Sequence, residues 1–246
     1  MKKIILIPTR IESTRLPGKA LLLIDNIPLI IHTYKRAMIS SLKDDVYVCT
    51  HSKEIIDVCK KYKANFVKTG SSHINGTERI AEASRILRLG SSSIIVDVQG
   101  DEPLIDPKNI DQTLKFFLKN SFDIVVPHLE IKEKTSKNIV KILVDKNNKV
   151  NWFSRSNVPY FFNSVAEKYL KHLSIIVFKN SVLQKYSKIK KTKYENIESI
   201  ELLRALEGGF SIGSPKLKGD SFSVDVINDY QKAIYYFKKD KIKKNY

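Results

Sequence analysis

Residues 1–19 read MKKIILIPTRIESTRLPGK, and this stretch decides the fold. Its apolar segment, residues 4–7, is long enough for a buried strand and too short for a helix, and Pro8 ends it. Cationic and hydroxyl side chains follow at once, namely Arg10, Ser13, Thr14, Arg15 and Lys19. Ligands of open α/β sheets bind beyond the strand ends, where such cations match phosphate oxygens. The segment therefore suits a polyphosphate ligand, with a solvated basic turn as the alternative.

The composition is that of a folded, basic protein. The 246 residues fit one large domain, or a domain with a substantial insertion, and 42% of them are hydrophobic. The formal net charge is +17, much of it from lysines that are spread along the chain and dense in the final segment KKDKIKKNY. Scattered lysines are typical of a solvated surface. A non-catalytic nucleic-acid-binding protein remains an alternative, although the sequence has no zinc-finger, helix-turn-helix or RNA-binding signature.

Three features indicate a reduced, cytoplasmic protein. No apolar run approaches the length of about 18 residues that predicts a transmembrane helix. The first residues lead straight into a strand, without the layout of a signal peptide. The two cysteines, Cys49 and Cys59, lie in strand-like and helix-like contexts. We therefore expect a cytoplasmic location, no membrane insertion and no nucleic-acid partner.

Strands and helices alternate through the first half of the chain. Predicted strands cover residues 46–49, 64–67, 93–98 and 123–126, and predicted helices cover residues 28–39, 53–61, 78–89 and 107–118. This alternation is typical of a parallel sheet that is covered by helices on both faces. We therefore predict an α/β fold of the Rossmann-like kind, with a mostly parallel sheet.

The pattern changes after residue 127. Two strand-like segments, residues 139–144 and 150–153, flank a polar turn and predict a hairpin. We therefore place a β insertion at residues 128–178, within an α/β core made of residues 1–127 and 179–246. The core is predicted to continue with helices at residues 180–186, 197–206 and 228–237, and with a last strand near residues 221–224.

Two aspartates follow predicted strands. Asp101 comes after the apolar strand at residues 93–98, and Asp225 comes after the last strand. Both are expected at the sheet edge that carries the cationic segment. Mg²⁺ takes one or two protein carboxylates and completes its shell with phosphate oxygens and water. The sequence therefore predicts that Asp101 and Asp225 hold Mg²⁺, with an ordinary turn aspartate as the alternative for Asp101.

Several motifs resemble, in order, those of the 3-deoxy-manno-octulosonate (Kdo) cytidylyltransferases, the CMP-Kdo synthetases. They span roughly residues 4–235, which is most of the chain. The matching motifs are R-x-x-S-T-R-L-P-G-K at residues 10–19, GTER at 76–79, QGDEP at 99–103, FSR at 153–155, ENIESIELLR at 195–204 and SVDVINDY at 223–230.

The resemblance implies a role for individual residues. The nucleotide-binding residues would be Pro8, Arg10, Ser13, Lys19, Gly76, Thr77 and Gln99. The residues implied to act in catalysis are Arg10, Arg15, Lys19 and Asp101. The sugar-binding residues would be Arg155, His172, Glu201 and Leu202. Asp101 and Asp225 are implied as the magnesium ligands. Thr77 also suits the N-cap of the following helix.

The resemblance also implies a fold and a reaction. The fold would be the Rossmann-like nucleotidyltransferase fold with its β insertion. The reaction would join CTP to a 3-deoxy-ulosonic acid and release pyrophosphate, for lipopolysaccharide or capsule biosynthesis. A homodimer that forms through the β insertion is expected.

The chain departs from the family pattern where the resemblance places the sugar. The family's glutamine of E-Q-L-R is Leu202 here, and two of its tyrosines are Ile176 and Phe178. The triphosphate and metal motifs are intact. The expected reaction type therefore stands. For the sugar, the resemblance implies Kdo, and the departures leave another ulosonate such as 8-amino-Kdo as the alternative.

Overall fold

A computed structural model gives the fold, and it describes residues 1–131, 138–163, 168–219 and 221–246. The strands are β1 (Lys3–Pro8), β2 (Leu23–Ile24), β3 (Ile27–Pro28), β4 (Asp45–Thr50), β5 (Phe66–Lys68), β6 (Ile94–Val98), β7 (Ile124–Val125), β8 (His128–Ile131), β9 (Lys141–Val144), β10 (Val150–Ser154), β11 (Tyr169–His172), β12 (Ile175–Lys179) and β13 (Ile212–Gly213). The α-helices are α1 (Leu29–Ile39), α2 (Lys53–Lys61), α3 (Gly76–Ile86), α4 (Pro107–Lys119), α5 (Asn180–Tyr186), α6 (Lys193–Glu198), α7 (Glu201–Glu207) and α8 (Ile227–Phe237).

The central sheet has seven strands in the order β13-β7-β12-β6-β1-β4-β5. Strands β6, β1, β4 and β5 run parallel to one another. Strand β12 is antiparallel to both of its neighbours, β6 and β7, while β13 runs parallel to β7. The prediction of a mostly parallel α/β sheet is confirmed.

The N-terminal strand β1 lies at the centre of two hydrophobic layers. Its side chains alternate, so that Ile5 and Ile7 join one core cluster with residues of α1, α2 and α4. Ile4 and Leu6 join the other cluster, with residues of α3, α5 and α7. Because successive residues of a strand face opposite sides of a sheet, an uninterrupted apolar strand requires helices on both faces.

A second sheet, with the strand order β10-β9-β11-β8, is antiparallel. Strands β9 and β10 form the predicted hairpin, whose turn is held by the Asp145 carboxylate through the backbone N–H groups of Asn147 and Lys149. The predicted insertion at residues 128–178 covers this sheet. It also includes most of β12, which belongs to the central sheet. The chain therefore passes from the second sheet to the central sheet at Ser174, between β11 and β12.

The single helix predicted at residues 197–206 is wrong. The structure has two helices, α6 and α7, because Ser199 takes a left-handed conformation with φ of 50°. Arg155 stabilises this break by donating hydrogen bonds to the backbone carbonyls of Glu198 (2.6 Å) and Ser199 (3.0 Å). A continuous helix would use those carbonyls internally. Glu198 and Glu201 consequently lie on different helices rather than on one helical face.

The strand predicted near residues 221–224 is also wrong. Within the described ranges, this segment pairs with no strand. Its polar groups are used locally instead, because the hydroxyls of Ser221 and Ser223 both donate to the buried Glu102 carboxylate, at 2.7 and 2.8 Å. The backbone N–H of Val224 donates to the Asp101 carbonyl at 2.9 Å. The last of these bonds still brings Asp225 to the end of β6.

The cysteines are both buried and free of disulfides. Burial raises the pKa of both thiols, that of Cys59 to about 12. They therefore act as small hydrophobic residues of the core. No helix in the described part of the chain combines the length and the apolar character that a bilayer crossing needs.

Candidate active site

A cleft opens at the carboxyl ends of β1 and β6. The loop after β1 forms one wall, and the segment that leads into α3 forms another. Most of the predicted nucleotide, catalytic and metal residues line it together, namely Pro8, Arg10, Ser13, Arg15, Lys19, Gly76, Gln99, Asp101 and Asp225. The cleft also includes residues that the motifs did not single out, among them Glu12, His73 and Ile74.

Lys19 joins the two aspartates at the centre of the cleft. Its Nζ lies 2.5 Å from Asp101 Oδ2 and 3.0 Å from Asp225 Oδ1. The Lys19 side chain is only 17% exposed. Burial alone would lower the pKa of Lys19, but the two carboxylates outweigh it and raise that pKa above its ordinary value. The single positive charge of Lys19 therefore partly neutralises the negative charges of Asp101 and Asp225.

Arg15 adds a second cation on the same side. Its Nη2 lies 2.9 Å from Asp225 Oδ1, the oxygen that Lys19 also contacts. The Arg15 side chain is 52% exposed, so the ion pair is accessible to solvent and to a ligand. The two predicted metal ligands thus lie directly beside two of the predicted phosphate-binding cations.

Two glycines allow the walls of the cleft to approach each other. A Cβ atom at Gly100 would lie 3.0 Å from both the Pro8 carbonyl oxygen and Thr9 Cβ. A Cβ at Gly76 would lie 3.2 Å from Pro8 Cγ. Such distances are shorter than ordinary van der Waals contacts, so a larger residue would push the loop after β1 away from the ends of β6 and α3.

The prediction that Thr77 caps the following helix is wrong. The N-cap of α3 is Asn75, whose side chain accepts a hydrogen bond from Glu78 N at 2.8 Å. Thr77 is buried and is not among the residues that line the cleft. The nucleotide-binding role of Thr77 stays a prediction.

Asp97 is a buried carboxyl that the motif analysis missed. It lies within β6, two residues before Gln99, and it is 1% exposed. Gln99 Nε2 lies 3.0 Å from Asp97 Oδ1 and 2.9 Å from Oδ2. Burial, with a further contribution from Glu201, raises the pKa of Asp97 well above its usual range. The signal was available in the sequence, because a charged residue interrupts the otherwise apolar strand IIVDV.

The four predicted sugar-binding residues lie outside the lining of this cleft. Arg155 holds the break between α6 and α7, and its backbone N–H donates to Glu198 Oε2 at 2.9 Å. His172 lies on β11 with its ring edge against Phe153, at a centroid distance of 5.7 Å. Burial lowers the pKa of His172 to about 4, and its Nε2 has no hydrogen-bond partner among the described residues.

Glu201 and Leu202 begin α7. Glu201 accepts from Arg204 Nη2 at 3.0 Å, but burial outweighs its hydrogen bonds and raises the pKa of its carboxyl. Leu202 is 4% exposed and packs in the hydrophobic core. Phe178, one of the departures from the family pattern, is fully buried and packs against Tyr186 at 6.3 Å. The sugar-binding roles therefore stay predictions.

A family model described as cytidylyltransferase matches residues 4–213. The chain belongs to the cytidylyltransferase family. The matched range includes the loop after β1 and Asp101, while Asp225 lies beyond it. Membership in this family identifies the protein as a nucleotidyltransferase enzyme, rather than the non-catalytic nucleic-acid-binding protein that the charge of +17 left open.

Individual cytidylyltransferases resemble the chain over most of its length. The 3-deoxy-manno-octulosonate cytidylyltransferase of Chlorobium limicola is 39% identical over 219 residues, which cover 86% of this chain and 87% of the relative. The 8-amino-3,8-dideoxy-manno-octulosonate cytidylyltransferase of Shewanella pealeana is 34% identical over 217 residues, which cover 86% of this chain and 89% of the relative. The family resemblance inferred from the motifs is confirmed.

A solved structure of CMP:2-keto-3-deoxy-manno-octonic acid synthetase complexed with CTP has the same fold. It superposes with a TM-score of 0.91 at 29% sequence identity, covering 97% of this chain and 99% of that one. The Rossmann-like nucleotidyltransferase fold predicted from the sequence is therefore confirmed. The agreement extends through both sheets of this cytidylyltransferase, because nearly the whole of each chain is covered.

The two aspartates of this cytidylyltransferase fit a magnesium ion that also binds substrate phosphates. Their oxygens converge on one point, since a single ammonium contacts both. In the part of the chain that the structure describes, no group of three or more acidic, histidine or cysteine side chains forms an all-protein metal site. Mg²⁺ commonly binds through one or two carboxylates together with phosphates and water, which is the donor set available here.

Proposed function

We propose that the protein transfers CMP from CTP to 3-deoxy-manno-octulosonate and releases pyrophosphate. The convergence of Lys19 with Asp101 and Asp225 in a cationic cleft is the observation that carries this proposal. Two carboxylates beside several cations suit a triphosphate together with a divalent cation. The synthetase complexed with CTP, which shares this fold, supports CTP as the nucleotide.

In the proposed reaction, the anomeric hydroxyl of the sugar attacks the α-phosphorus of CTP. A bond forms between that hydroxyl oxygen and the α-phosphorus, the bond to the β-phosphate bridging oxygen breaks, and the hydroxyl proton is released. Arg10, Arg15 and Lys19 line the same cleft and stabilise the negative charge of the departing pyrophosphate. These three cations would contribute to nucleotidyl transfer chiefly by positioning the triphosphate and stabilising its charge.

We propose Mg²⁺ as the cofactor, held by Asp101 and Asp225. When bound, the ion would withdraw charge from the α-phosphate and help to orient the attacking hydroxyl. Lys19 contacts both carboxylates, so it must share or exchange these partners when the triphosphate binds. Arg15 faces the same exchange at Asp225. Cations displaced from these carboxylates would be available to pair with phosphate oxygens.

An amino-sugar acid is the second candidate for the acceptor. The relative from Shewanella pealeana is named for 8-amino-3,8-dideoxy-manno-octulosonate, and it matches the chain nearly as well as the relative from Chlorobium limicola does. The proposal therefore gives Kdo first and its 8-amino analogue second.

We further propose a cytoplasmic homodimer whose product supplies lipopolysaccharide or capsule assembly. Dimerisation through the β insertion is supported by the exposure of Tyr160 (84%) and Phe162 (85%), two aromatic side chains in the loop after β10. Large exposed apolar groups that lie close together are typical of an interaction surface. Light scattering of the purified chain would test the dimer, and a Tyr160→Ser/Phe162→Ser variant should then run as a monomer.

The deciding experiment is pyrophosphate release from CTP with a panel of sugar acids. We expect release with Kdo or its 8-amino analogue, dependence on Mg²⁺, and little release when the sugar is omitted. N-acetylneuraminate, a sugar acid of a different size, serves as the control acceptor. Equal turnover of every acid tested, or none with either octulosonate, would refute the proposed acceptor class.

A further inference from the structure

The buried carboxyl of Asp97 has a specific neighbour in the cleft. Asp97 lies within β6, where its neighbours Val96 and Val98 are fully buried. A carboxyl in such a place costs stability unless hydrogen bonds compensate for the lost water. The nearby charges that act on it, those of Glu201 and Asp101, are also negative and increase this cost. Because the buried Asp97 carboxyl lowers stability and lies next to the cleft, we looked for a function of this side chain other than packing.

The hydrogen bonds given to Asp97 come from the Gln99 amide. Gln99 Nε2 lies within 3.0 Å of both carboxyl oxygens. Whether ionised or protonated, a carboxyl keeps at least one oxygen that accepts a hydrogen bond, so the amide presents its NH₂ group to Asp97. The amide oxygen is about 120° away from that nitrogen in the same plane, and it is then the polar atom left for a ligand. Gln99 lines the cleft, whereas Asp97 does not.

We propose that Asp97 is a positioning residue that fixes the Gln99 amide so that its oxygen accepts a hydrogen bond from a substrate N–H or O–H group. Asp97 thereby acts through Gln99 and touches no substrate itself. The inference rests on the proposed function for the identity of the substrates. Two groups of those substrates supply the required donor: the 4-amino group of cytosine, and the hydroxyls of ribose or of the sugar acid.

The amide orientation has a consequence for the choice of nucleotide. Cytosine carries an amino donor at position 4, where uracil carries a carbonyl acceptor. An amide that is locked with its oxygen toward the base favours CTP, whereas an amide that is free to rotate can offer its NH₂ to UTP. A sugar or ribose hydroxyl both donates and accepts, so it is less sensitive to rotation of the amide. The ratio of kcat/KM for CTP to that for UTP therefore shows whether the cytosine amino group or a hydroxyl donates to Gln99.

The test is a double-mutant cycle with Asp97→Ala, Gln99→Leu and the double variant. We measure kcat/KM for CTP and for UTP, together with KM for the sugar acid. If the base is the donor, Asp97→Ala lowers the preference for CTP by about three- to tenfold, as expected for one hydrogen bond. If a sugar hydroxyl is the donor, the sugar KM rises by a smaller factor and the preference for CTP is unchanged. If a ribose hydroxyl is the donor, KM rises equally for CTP and UTP.

The background variant distinguishes positioning from a general structural effect. In the Gln99→Leu background, Asp97→Ala should have no further effect on these parameters, since it has no amide left to position. Asp97→Asn keeps an oxygen that can accept from Nε2, so it should retain most of the wild-type values. Equal effects of Asp97→Ala in both backgrounds, or no effect in the wild type, would overturn the proposal.

Two further measurements keep the result interpretable. Thr113→Val removes a buried hydroxyl that donates to Asn109 O within α4, and it should leave nucleotide preference unchanged. If Asp97→Ala does not fold, Asp97→Ser takes its place in the cycle.

Calorimetric titration of CTP and UTP repeats the cycle without turnover, and titration of Kdo or its 8-amino analogue in the presence of CTP tests the sugar hydroxyl as the donor. A wild type that binds CTP but turns over no sugar acid would therefore refute the proposed function and leave the positioning of Gln99 to be decided by binding.

Discussion

Lys19 Nζ lies 2.5 Å from Asp101 Oδ2, which joins the loop after the first strand to a residue 82 positions later in the chain. The same ammonium reaches Asp225, 206 positions away, at 3.0 Å. Three distant segments therefore meet at one charge centre. Because each partner alone would be a partly buried, uncompensated charge, the three residues depend on one another for stability as well as for ligand binding.

Replacing Asp101 by asparagine tests the proposed metal ligand. The substitution keeps the size of the side chain and removes the charge that attracts a divalent cation. We expect turnover to fall at least about a hundredfold, the typical effect of losing a main electrostatic group. Steady-state pyrophosphate release at increasing Mg²⁺ measures it. Asp57→Asn, on the exposed side of α2, is the matched control. Near-normal activity of Asp101→Asn at saturating Mg²⁺ would remove Asp101 from the site.

Replacing Lys19 by alanine should reduce both turnover and stability. On the sequence alone, Lys19 reads as an exposed loop residue, whose loss would barely affect folding. In the structure its side chain is 17% exposed and bridges two carboxylates. Removing it leaves the partly buried Asp101 carboxylate without this partner, which costs about 1–3 kcal/mol, while Asp225 keeps its ion pair with Arg15. Urea unfolding measures the stability, and Lys60→Ala, an exposed lysine of α2, serves as the control. Lost turnover with unchanged stability would mean that the bridge contributes nothing to the fold.

Most strands and helices in the first half of the chain were predictable from local patterns. Strand β1 is an uninterrupted apolar run, and α2 begins and ends where its amphipathic pattern does. The break at Ser199 was not predictable, because it depends on Arg155, which lies 44 positions earlier in the chain. The motifs likewise located Asp101 and Asp225, while the contact between Asp97 and Gln99 is a matter of side-chain geometry. Local sequence therefore predicts elements well, and it fails where distant side chains compete for backbone groups.

The Asp97→Asn variant should become relatively more stable as the pH rises. Burial raises the pKa of Asp97 above its ordinary value in the folded protein. Below the ordinary carboxyl pKa of about 4, Asp97 is protonated in both the folded and the unfolded protein, and its titration does not change the stability. As the pH rises through the window up to the folded-state pKa, the unfolded chain releases the proton first, so folding stability is lost. Asparagine has no such proton.

Chemical unfolding at pH 5 and pH 8 measures this effect. The difference in the free energy of unfolding between Asp97→Asn and wild type should increase between the two values. Comparing variant with wild type cancels the titration of other buried carboxyls, such as Glu102. Asp57→Asn should show no comparable increase. A difference that stays constant, or that shrinks at pH 8, would contradict a buried Asp97 with a raised pKa.

Replacing His172 by leucine should separate sugar binding from folding. The Nε2 atom of His172 is buried, and it has no hydrogen-bond partner in the described part of the chain. An unsatisfied buried polar atom costs about 1–3 kcal/mol, so leucine should leave stability unchanged or raise it. A bound sugar hydroxyl would form a hydrogen bond with Nε2 and so offset the cost of burying it. We therefore expect a raised KM for the sugar acid and an ordinary KM for CTP.

The pH dependence of the same variant sharpens the result. Burial lowers the pKa of His172 to about 4, so its ring is neutral throughout the range from pH 6 to 8. A neutral imidazole contributes a hydrogen bond and no charge, hence the KM ratio between variant and wild type should be constant over that range. Initial rates at varied sugar acid and saturating CTP measure the ratio. An unaltered sugar KM together with lower stability would show that His172 serves the packing against Phe153 instead, and the sugar would then have to bind elsewhere.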